Sequence, residues 1–288
     1  MKPKCIYFLL MGVFLLCAQR AGFCVANVIE IDQAKIRLSI ATGSAKAGTI
    51  KVDNPTNESK HIKVYLEDWQ YLPAFDGTKE FKAAGTTDLS CAGWISFVPD
   101  DFTIPPYGKQ MLNYTVKVPK DAKGGHYAVM FLENYISEQT QPQEGVNVGV
   151  SVRIASLFYV EPEGTIVRDA AIEDLKINKL EKEFQITAKL VNKGNTDIIS
   201  KGNFFLMDKN GIVQARGEFN DLYMFGSNTA LLSGSWKESL SEGDYDLVLS
   251  VDIGKALEEL GLGRGPVITE EYKIHADQDG NIQIGEVK

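Results

Sequence analysis

Leu112-Asn113-Tyr114-Thr115-Val116-Lys117-Val118 sets an apolar side chain at every second position, the period at which a strand turns one face to a core and the other to water. Ile62, Val64 and Leu66 alternate with His61, Lys63 and Tyr65 in the same way. Outward from these two stretches, short apolar runs recur at residues 47–53, 126–132, 146–154, 184–191, 203–207, 229–234, 245–251 and 267–274, with Gly, Pro, Asn and Asp clusters between them. Short strands punctuated by turn residues at this spacing predict an all-β sandwich fold. Only Lys255 to Leu260 reads as helical, with Ala256, Leu257 and Leu260 on one face and Gly261 and Gly263 closing it, so one or two helical turns are expected inside a loop.

The pattern runs twice. Ile50 to Val52 enters the turn Asn54-Pro55-Thr56-Asn57 and returns as a strand, and Ile186 to Val191 enters Asn192-Lys193-Gly194-Asn195 and does the same. Later, Gly125-His126-Tyr127 and Gly243-Asp244-Tyr245 each open a strand. In a sandwich such a tyrosine buries its ring while its hydroxyl reaches nearby backbone. The interval from Asn54 to Tyr127 exceeds that from Asn192 to Tyr245 by 20 residues. The surplus is expected between Trp69 and Trp94, as a polar loop rich in Gly, Ala and Thr. Two tandem sandwiches are therefore expected, with Pro162, Glu163 and Gly164 marking the join.

Length and charge narrow the function. The chain has 288 residues, 44% of them hydrophobic and 24% charged, enough for two separate cores. Residues 1–26 contain three basic residues and no acid, leaving 27 basic against 38 acidic residues, a net charge of −11, in residues 27–288. Nucleic acid and anionic membrane surfaces are poor partners for such a body, because phosphate binding needs clustered Lys and Arg. Lys2 and Lys4 precede the apolar run Ile6 to Leu16, and Cys24-Val25-Ala26 supplies a small-x-small cleavage site. Residues 1–26 are read as a signal peptide and Asn27 as the mature start. The apolar run is too short to span a bilayer, and no other segment competes as a membrane span. Cys17 and Cys24 follow Leu16 and Phe23, where lipid attachment wants a small residue. Cys5, Cys17 and Cys24 leave with that peptide, so no intrachain disulfide is expected, and Cys91 is either a small buried hydrophobe or an unpaired thiol able to join another chain.

The residues offer little for catalysis, and no enzyme, metal or cofactor is expected. His61, His126 and His275 lie far apart, with no pair at metal-ligand spacing. There is no Gly-x-Ser-x-Gly elbow or Ser-x-x-Lys pair, and Gly43 to Gly48 lacks the following Lys of a phosphate loop. Asp277, Asp279 and Asn281 have the alternate spacing that opens a calcium loop, but Ile282 stands where its Gly belongs and Lys288 where its closing Glu belongs. A surface turn on Asp279-Gly280 is expected instead.

Pro99-x-x-Phe102-x-Ile104-x-Pro106, followed by Gly108 and the strand to Val118, resembles the N-terminal domain of PapD-type periplasmic pilus chaperones. Val148 to Ile154, leading into Leu157-Phe158-Tyr159 and Pro162, is similar to that family's long last strand and its Leu-Phe-Tyr-Arg-Pro ending. The likeness covers roughly residues 28–162, a little under half the chain; the second half resembles the family only as a generic immunoglobulin-like sandwich. The resemblance implies an immunoglobulin-like domain over residues 27–162, a second over 163–288 ending in a short tail, and location in the periplasm, the cell surface being the other candidate. It also implies β-strand addition to an exported pilus or surface-protein subunit, with no small-molecule substrate, while basic residues of the interdomain cleft hold the subunit's C-terminal carboxylate.

Two departures qualify it. The family's lysine before Leu-Phe-Tyr corresponds to Ser156, and its first-strand arginine falls near Leu38. Arg37 and Arg153, on strands that should be neighbours, either replace the pair together or are ordinary outward-facing residues. Val148, Val150, Val152 and Ile154 carry the partner-binding assignment. Counted back from Leu157, however, they stand on the face the family turns to its core. A bulge near Ala155 or Ser156 would restore the lent face, and without one Asn147, Gly149 and Ser151 would be offered. Glu138 to Gly145 reads as a mobile loop before that strand. Fold alone does not fix function, so a non-catalytic structural or adhesion module of the envelope is the alternative.

Overall fold

The computed structural model describes residues 29–136, 150–262 and 265–287. In chain order the strands are β1 (Glu30–Ile31), β2 (Lys35–Ile40), β3 (Ala45–Asp53), β4 (Lys60–Tyr71), β5 (Lys79–Ala83), β6 (Ile95–Val98), β7 (Asp101–Ile104), β8 (Lys109–Lys117), β9 (His126–Ile136) and β10 (Val150–Pro162). They continue as β11 (Ala170–Lys179), β12 (Phe184–Asn192), β13 (Ile198–Met207), β14 (Val213–Glu218), β15 (Leu222–Met224), β16 (Thr229–Trp236), β17 (Gly243–Asp252), β18 (Val267–Ala276) and β19 (Ile282–Val287). Among the described residues the one α-helix, α1 (Lys255–Glu259), sits between β17 and β18 where the sequence places it. No helix among the described residues is long and apolar enough to cross a membrane.

The strands form two tandem immunoglobulin-like β-sandwiches. In the first, the sheet β1-β3-β8-β6 faces the sheet β2-β10-β9-β4-β5, with β7 beside β4. In the second, β11-β12-β16 faces β14-β13-β17-β18-β19, with β15 beside β13. The alternation in β8 is the reason for the first: Leu112, Tyr114 and Val116 are buried, and Ile50 of β3 pairs with Leu112. Ile62 and Val64 meet them from β4, with Met130, Leu132, Phe158 and Val160 of β9 and β10. A separate core in the second half gathers Ile186, Leu190, Phe204, Leu206, Leu232, Leu247 and Leu249. Fully burying one such side chain is worth about 1.5–3 kcal/mol, so each sandwich has its own apolar support.

The duplicated turns match atom for atom. Asn54 Nδ2 donates to Glu58 O at 2.7 Å, and Asn192 Nδ2 donates to Thr196 O at 2.9 Å, each four residues on. Their Oδ1 atoms accept from the backbone N–H two residues on, that of Thr56 at 3.1 Å and of Gly194 at 3.0 Å. Both asparagines are buried, so these bonds satisfy side chains that would otherwise lose water without replacement. Tyr245 donates to Ser241 O at 2.8 Å, the expected corner contact. Tyr127 departs from that expectation: its hydroxyl reaches the Asp197 carboxylate of the second sandwich at 3.4 Å.

Between Trp69 and Trp94 the expected polar loop is instead a strand, β5, followed by a segment tied to Asp68. That buried carboxylate accepts from the backbone N–H of Thr86 and Thr87, both at 2.8 Å, and from the Ser90 hydroxyl at 2.6 Å. Burial pushes its carboxyl up, but the hydrogen bonds from Ser90, Thr87 and Gly85 prevail and hold it below the usual range. A folded-state value below the unfolded one gives stability that is present above about pH 4 and lost as pH falls through the folded value. Asp68→Asn is expected to cost about 2–3 kcal/mol at pH 7 and to flatten this acid limb, checked by urea unfolding across pH 3–7.

Cys91 is fully buried, and burial pushes its thiol well up, so the small-hydrophobe reading holds and the intermolecular-thiol reading does not. Asp277 accepts from Asn281 N and Nδ2 in a surface turn between β18 and β19, with Gly280 at φ 73°. The signal peptide assigned to residues 1–26, the Glu138 to Gly145 loop and the start of the run at residues 146–149 lie outside the described residues.

Candidate partner-binding edge and cleft

β10 is paired from Val150 to Val160 on one side and only over its second half on the other. Its register with β9 runs unbroken from Val150↔Ile136 to Val160↔His126. Its parallel pairing with β2 covers only Leu157↔Lys35 to Pro162↔Ile40. The pairing with β2 begins as Leu157 N–H donates to Ala34 O at 2.9 Å, so the odd-numbered residues of β10 turn their backbone groups to the β2 side. At Ser151 and Arg153 those N–H and C=O groups therefore face an edge to which no strand among the described residues pairs, the geometry that invites pairing by another chain.

The unbroken register also removes the bulge at Ala155 or Ser156. Even-numbered residues keep the core phase throughout: Phe158 and Val160 are buried, Ile154 packs against the core, and Val152 is 36% exposed. On the opposite face Ala155, Leu157 and Tyr159 join an aromatic cluster. Val152, not Ser151, is thus the apolar side chain presented along the free half of the strand. Val148 lies outside the described residues, and Val150 is placed by its backbone alone.

That aromatic cluster joins the two sandwiches. Tyr127 of β9 stacks on Phe225, which follows β15, with ring centroids 3.9 Å apart and planes at 12°. Trp69 meets Tyr71, Tyr127, Tyr159 and Phe225 edge-on at 5.1–5.6 Å, and its Nε1 donates to Ala128 O at 3.0 Å. Phe75, at the tip of the β4–β5 hairpin, packs against both this cluster and the second core, and its carbonyl accepts from Tyr223 N–H at 2.8 Å. Aromatic pairs of this geometry add about 0.5–1.5 kcal/mol each beyond the area they bury.

Beside the rings lies an ion network. Arg37, its side chain 3% exposed, grips Asp197 of the second sandwich with two parallel bonds of 2.8 and 2.6 Å. It also donates to Glu161 at 3.0 Å and, through Nε, to Glu259 of α1 at 3.2 Å. Arg168 donates to both oxygens of Glu161 at 2.6 Å, and Lys35 pairs with Glu259 at 2.6 Å. Burial alone would lower the Arg37 guanidinium, but Asp197, Glu161 and Glu259 outweigh it and raise it further. A bidentate guanidinium saturated by carboxylates from two sandwiches is a joint, not a free hook for a ligand.

Arg37 and Arg153 do not converge. β2 and β10 are neighbours as expected, and Arg37 pairs with Tyr159 in register. Arg153 is on the same face but six residues further along β10, about 20 Å at 3.3 Å per residue. There its guanidinium lies over Phe131, 4.2 Å from the ring centroid, and contacts Tyr65 and Glu67, both at 3.4 Å. Arg37 is accordingly neither half of a pair with Arg153 nor an outward-facing strand residue. Asp197, Glu161, Glu259 and Phe225 are the joint residues that periodicity missed, and Tyr127, expected only as a corner tyrosine, joins them. The sequence cue was modest: two acids, Glu161 and Asp197, lie on or beside strands within apolar runs.

No family model matches the sequence, and no curated protein does. Among solved structures the chain is similar to the class 5 fimbriae chaperone CfaA, 14% identical over 84% of this chain and 98% of that one, with a TM-score of 0.49. It is similar to the CupB2 chaperone of Pseudomonas aeruginosa at 12% identity over 84% and 98% (TM-score 0.39). A third similar structure is that of the Salmonella enterica SafA pilin in complex with the SafB chaperone, at 13% over 84% and 94% (TM-score 0.38).

Proposed function

We propose that this protein is a non-enzymatic periplasmic chaperone-like protein that binds a pilus or surface-protein subunit by β-strand addition to β10. Residues 27–162 form its partner-binding domain in this reading and residues 163–288 the second domain. The observation that carries it is the half-open edge of β10, where Ser151 and Arg153 face no strand among the described residues while Leu157 to Val160 are paired on both sides. Backbone bonds along that edge would hold a subunit strand whatever its sequence, and the exposed Val152, with Val148 and Val150, would fill its apolar groove, Ile154 being engaged by the protein's own core. The likeness to fimbrial chaperones noted above agrees with this at the level of fold.

Affinity capture of the tagged mature protein from its host's envelope fraction, with gentle crosslinking and mass spectrometry, tests the reading. A small exported protein at about one to one is expected, with capture by a folded Val152→Asp variant falling at least about tenfold because a charge enters the partner's apolar groove. Undiminished capture by that variant overturns the edge assignment.

The saturation of Arg37 by its own chain's carboxylates favours a second reading, a structural or adhesion module of the envelope that keeps its neighbours for good. Such a module would be found in purified surface structures at a fixed ratio to their other components.

A further inference from the structure

His126 opens β9 between two anchors of the joint. Before it, Gly125 N–H donates to Asn195 O of the second sandwich at 2.8 Å, and Gly124 N–H donates to the Thr165 hydroxyl at 3.1 Å. After it comes Tyr127, stacked on Phe225. The imidazole itself lies against the Trp94 indole, ring centroids 4.3 Å apart, and its Nε2 stands 3.2 Å from Lys123 O. A carbonyl only accepts, so in the neutral ring Nε2 carries the hydrogen and Nδ1 the lone pair. Nδ1 is buried with no hydrogen-bond partner among the described residues.

The segment above the imidazole also holds Tyr127. Tyr127 N–H donates to Leu89 O at 2.7 Å and Cys91 N–H to Tyr127 O at 3.0 Å, a short parallel bridge centred on Ser90. A 3-10 turn, Ala92–Trp94, follows at once, with Trp94 N–H donating to Cys91 O at 2.9 Å. His126, Trp94 and the bridge therefore pack as one unit, and Tyr127 carries that unit into the joint.

A second proton disturbs it. On Nδ1 it becomes a buried donor with nothing at bonding geometry to accept it. The Trp94 ring offers an imidazolium some attraction, but the planes are tilted by 48°, and burial, ahead of the backbone groups of Lys123, Ser90 and Leu89, holds the imidazole below its ordinary value. No charged side chain among the described residues answers the new charge. Val160 stands opposite on β10, the Lys123 side chain is exposed, and Asp68, the carboxylate tied to Ser90, is already bonded to Thr86, Thr87 and Ser90.

We propose that His126 is an acid-sensitive release for the joint: its protonation draws the imidazole out from under Trp94, loosens the bridge at Ser90, and frees Tyr127 and Gly125 from the second sandwich. The release does not depend on the strand-addition reading. The sign follows from the neutral ring being the one the closed joint accepts. Its contribution is complete above about pH 6.5, where unfolded histidine is neutral, and is lost as pH falls below that. One pH unit lower, opening gains up to about tenfold.

Amide hydrogen exchange by NMR on the mature protein tests this at Gly125 and Tyr223, whose N–H groups cross the joint to Asn195 O and Phe75 O. Corrected for intrinsic exchange, their protection is expected to fall about five- to tenfold between pH 7.5 and 5.5, while amides of β12 and β17 in the second core keep theirs. His126→Phe, which leaves an uncharged ring against Trp94, is expected to hold protection constant over that range. Constant protection in the unaltered protein, or an equal fall in His126→Phe, overturns the release. Should His126→Phe fail to fold, the unaltered protein decides: the His126 ring protons and the Trp94 indole N–H are expected to titrate together with a midpoint below 6.5, and a midpoint at or above 6.5 overturns the proposal. His61 and His275, exposed on Asp101 and Asp244, are the other two ring signals in that titration.

Discussion

Ser151→Pro is expected to abolish partner capture while leaving the protein as stable as before. The backbone N–H of Ser151 points to the unpaired side of β10, because odd-numbered residues turn that way from Leu157 back along the strand. Proline there removes a donor that no ladder among the described residues uses, and its ring fills the space a partner strand must enter; proline is tolerated at sheet edges for this reason. One ladder bond is worth about 1 kcal/mol, and the obstruction adds to it, so a loss of about 100-fold, roughly 2.7 kcal/mol, is expected in partner affinity. Val152→Pro supplies the contrast. Its N–H faces β9, and its loss breaks an existing bond, so that variant should melt earlier. A Ser151→Pro protein that still captures its partner at full strength would remove β10 as the docking edge, and a Ser151→Pro protein that melts early would mean that its N–H is already bonded.

Arg37→Met is the variant expected to damage folding most. It leaves Asp197 and Glu161 buried, with only Arg168 to answer two carboxylates, and breaking a buried ion pair from one side costs about 3–5 kcal/mol. The loss should be local to the joint, so differential scanning calorimetry is expected to resolve two transitions, one per sandwich, where a single one is expected of the unaltered protein. Removing both partners tests the cause: Arg37→Met with Asp197→Leu should recover more than half of the loss, because no uncompensated charge remains and the neighbouring rings accept apolar groups. Equal destabilisation in the single and double variants would show that packing of the arginine stem, not charge, holds the joint.

Elements whose reasons are local were legible in the sequence. Ile62 and Val64, and Leu112 to Val116, alternate because a two-sheet core needs one buried face per strand, and the asparagine turns declared the repeat because a buried amide must satisfy itself nearby. β5 escaped because Lys79 to Ala83 is an edge strand over a half-exposed aromatic face and has no clean alternation. β11 escaped because a register shift between Glu173 and Lys176 breaks its period. The joint was invisible for another reason: Arg37 meets Asp197 at 160 residues' separation and Glu259 at 222, and no periodicity carries information across that distance. Parity put Arg37 and Arg153 on one face but was silent about the length of strand between them. The phase of Val152 and Ile154 was read correctly from Leu157; only the register with β9 decided that no bulge reverses it.

The three tryptophans of the chain fall one to each part of the molecule. Trp94 packs against the first core, Trp236 lies in the second, and Trp69 is 1% exposed amid the rings that join them. Intrinsic fluorescence therefore divides along the lines of the architecture. With Trp94 and Trp236 replaced by phenylalanine, the emission that remains is an optical gauge of the joint alone, blue while Trp69 is enclosed and red once water reaches it, so that loosening between the sandwiches can be timed separately from the melting of either.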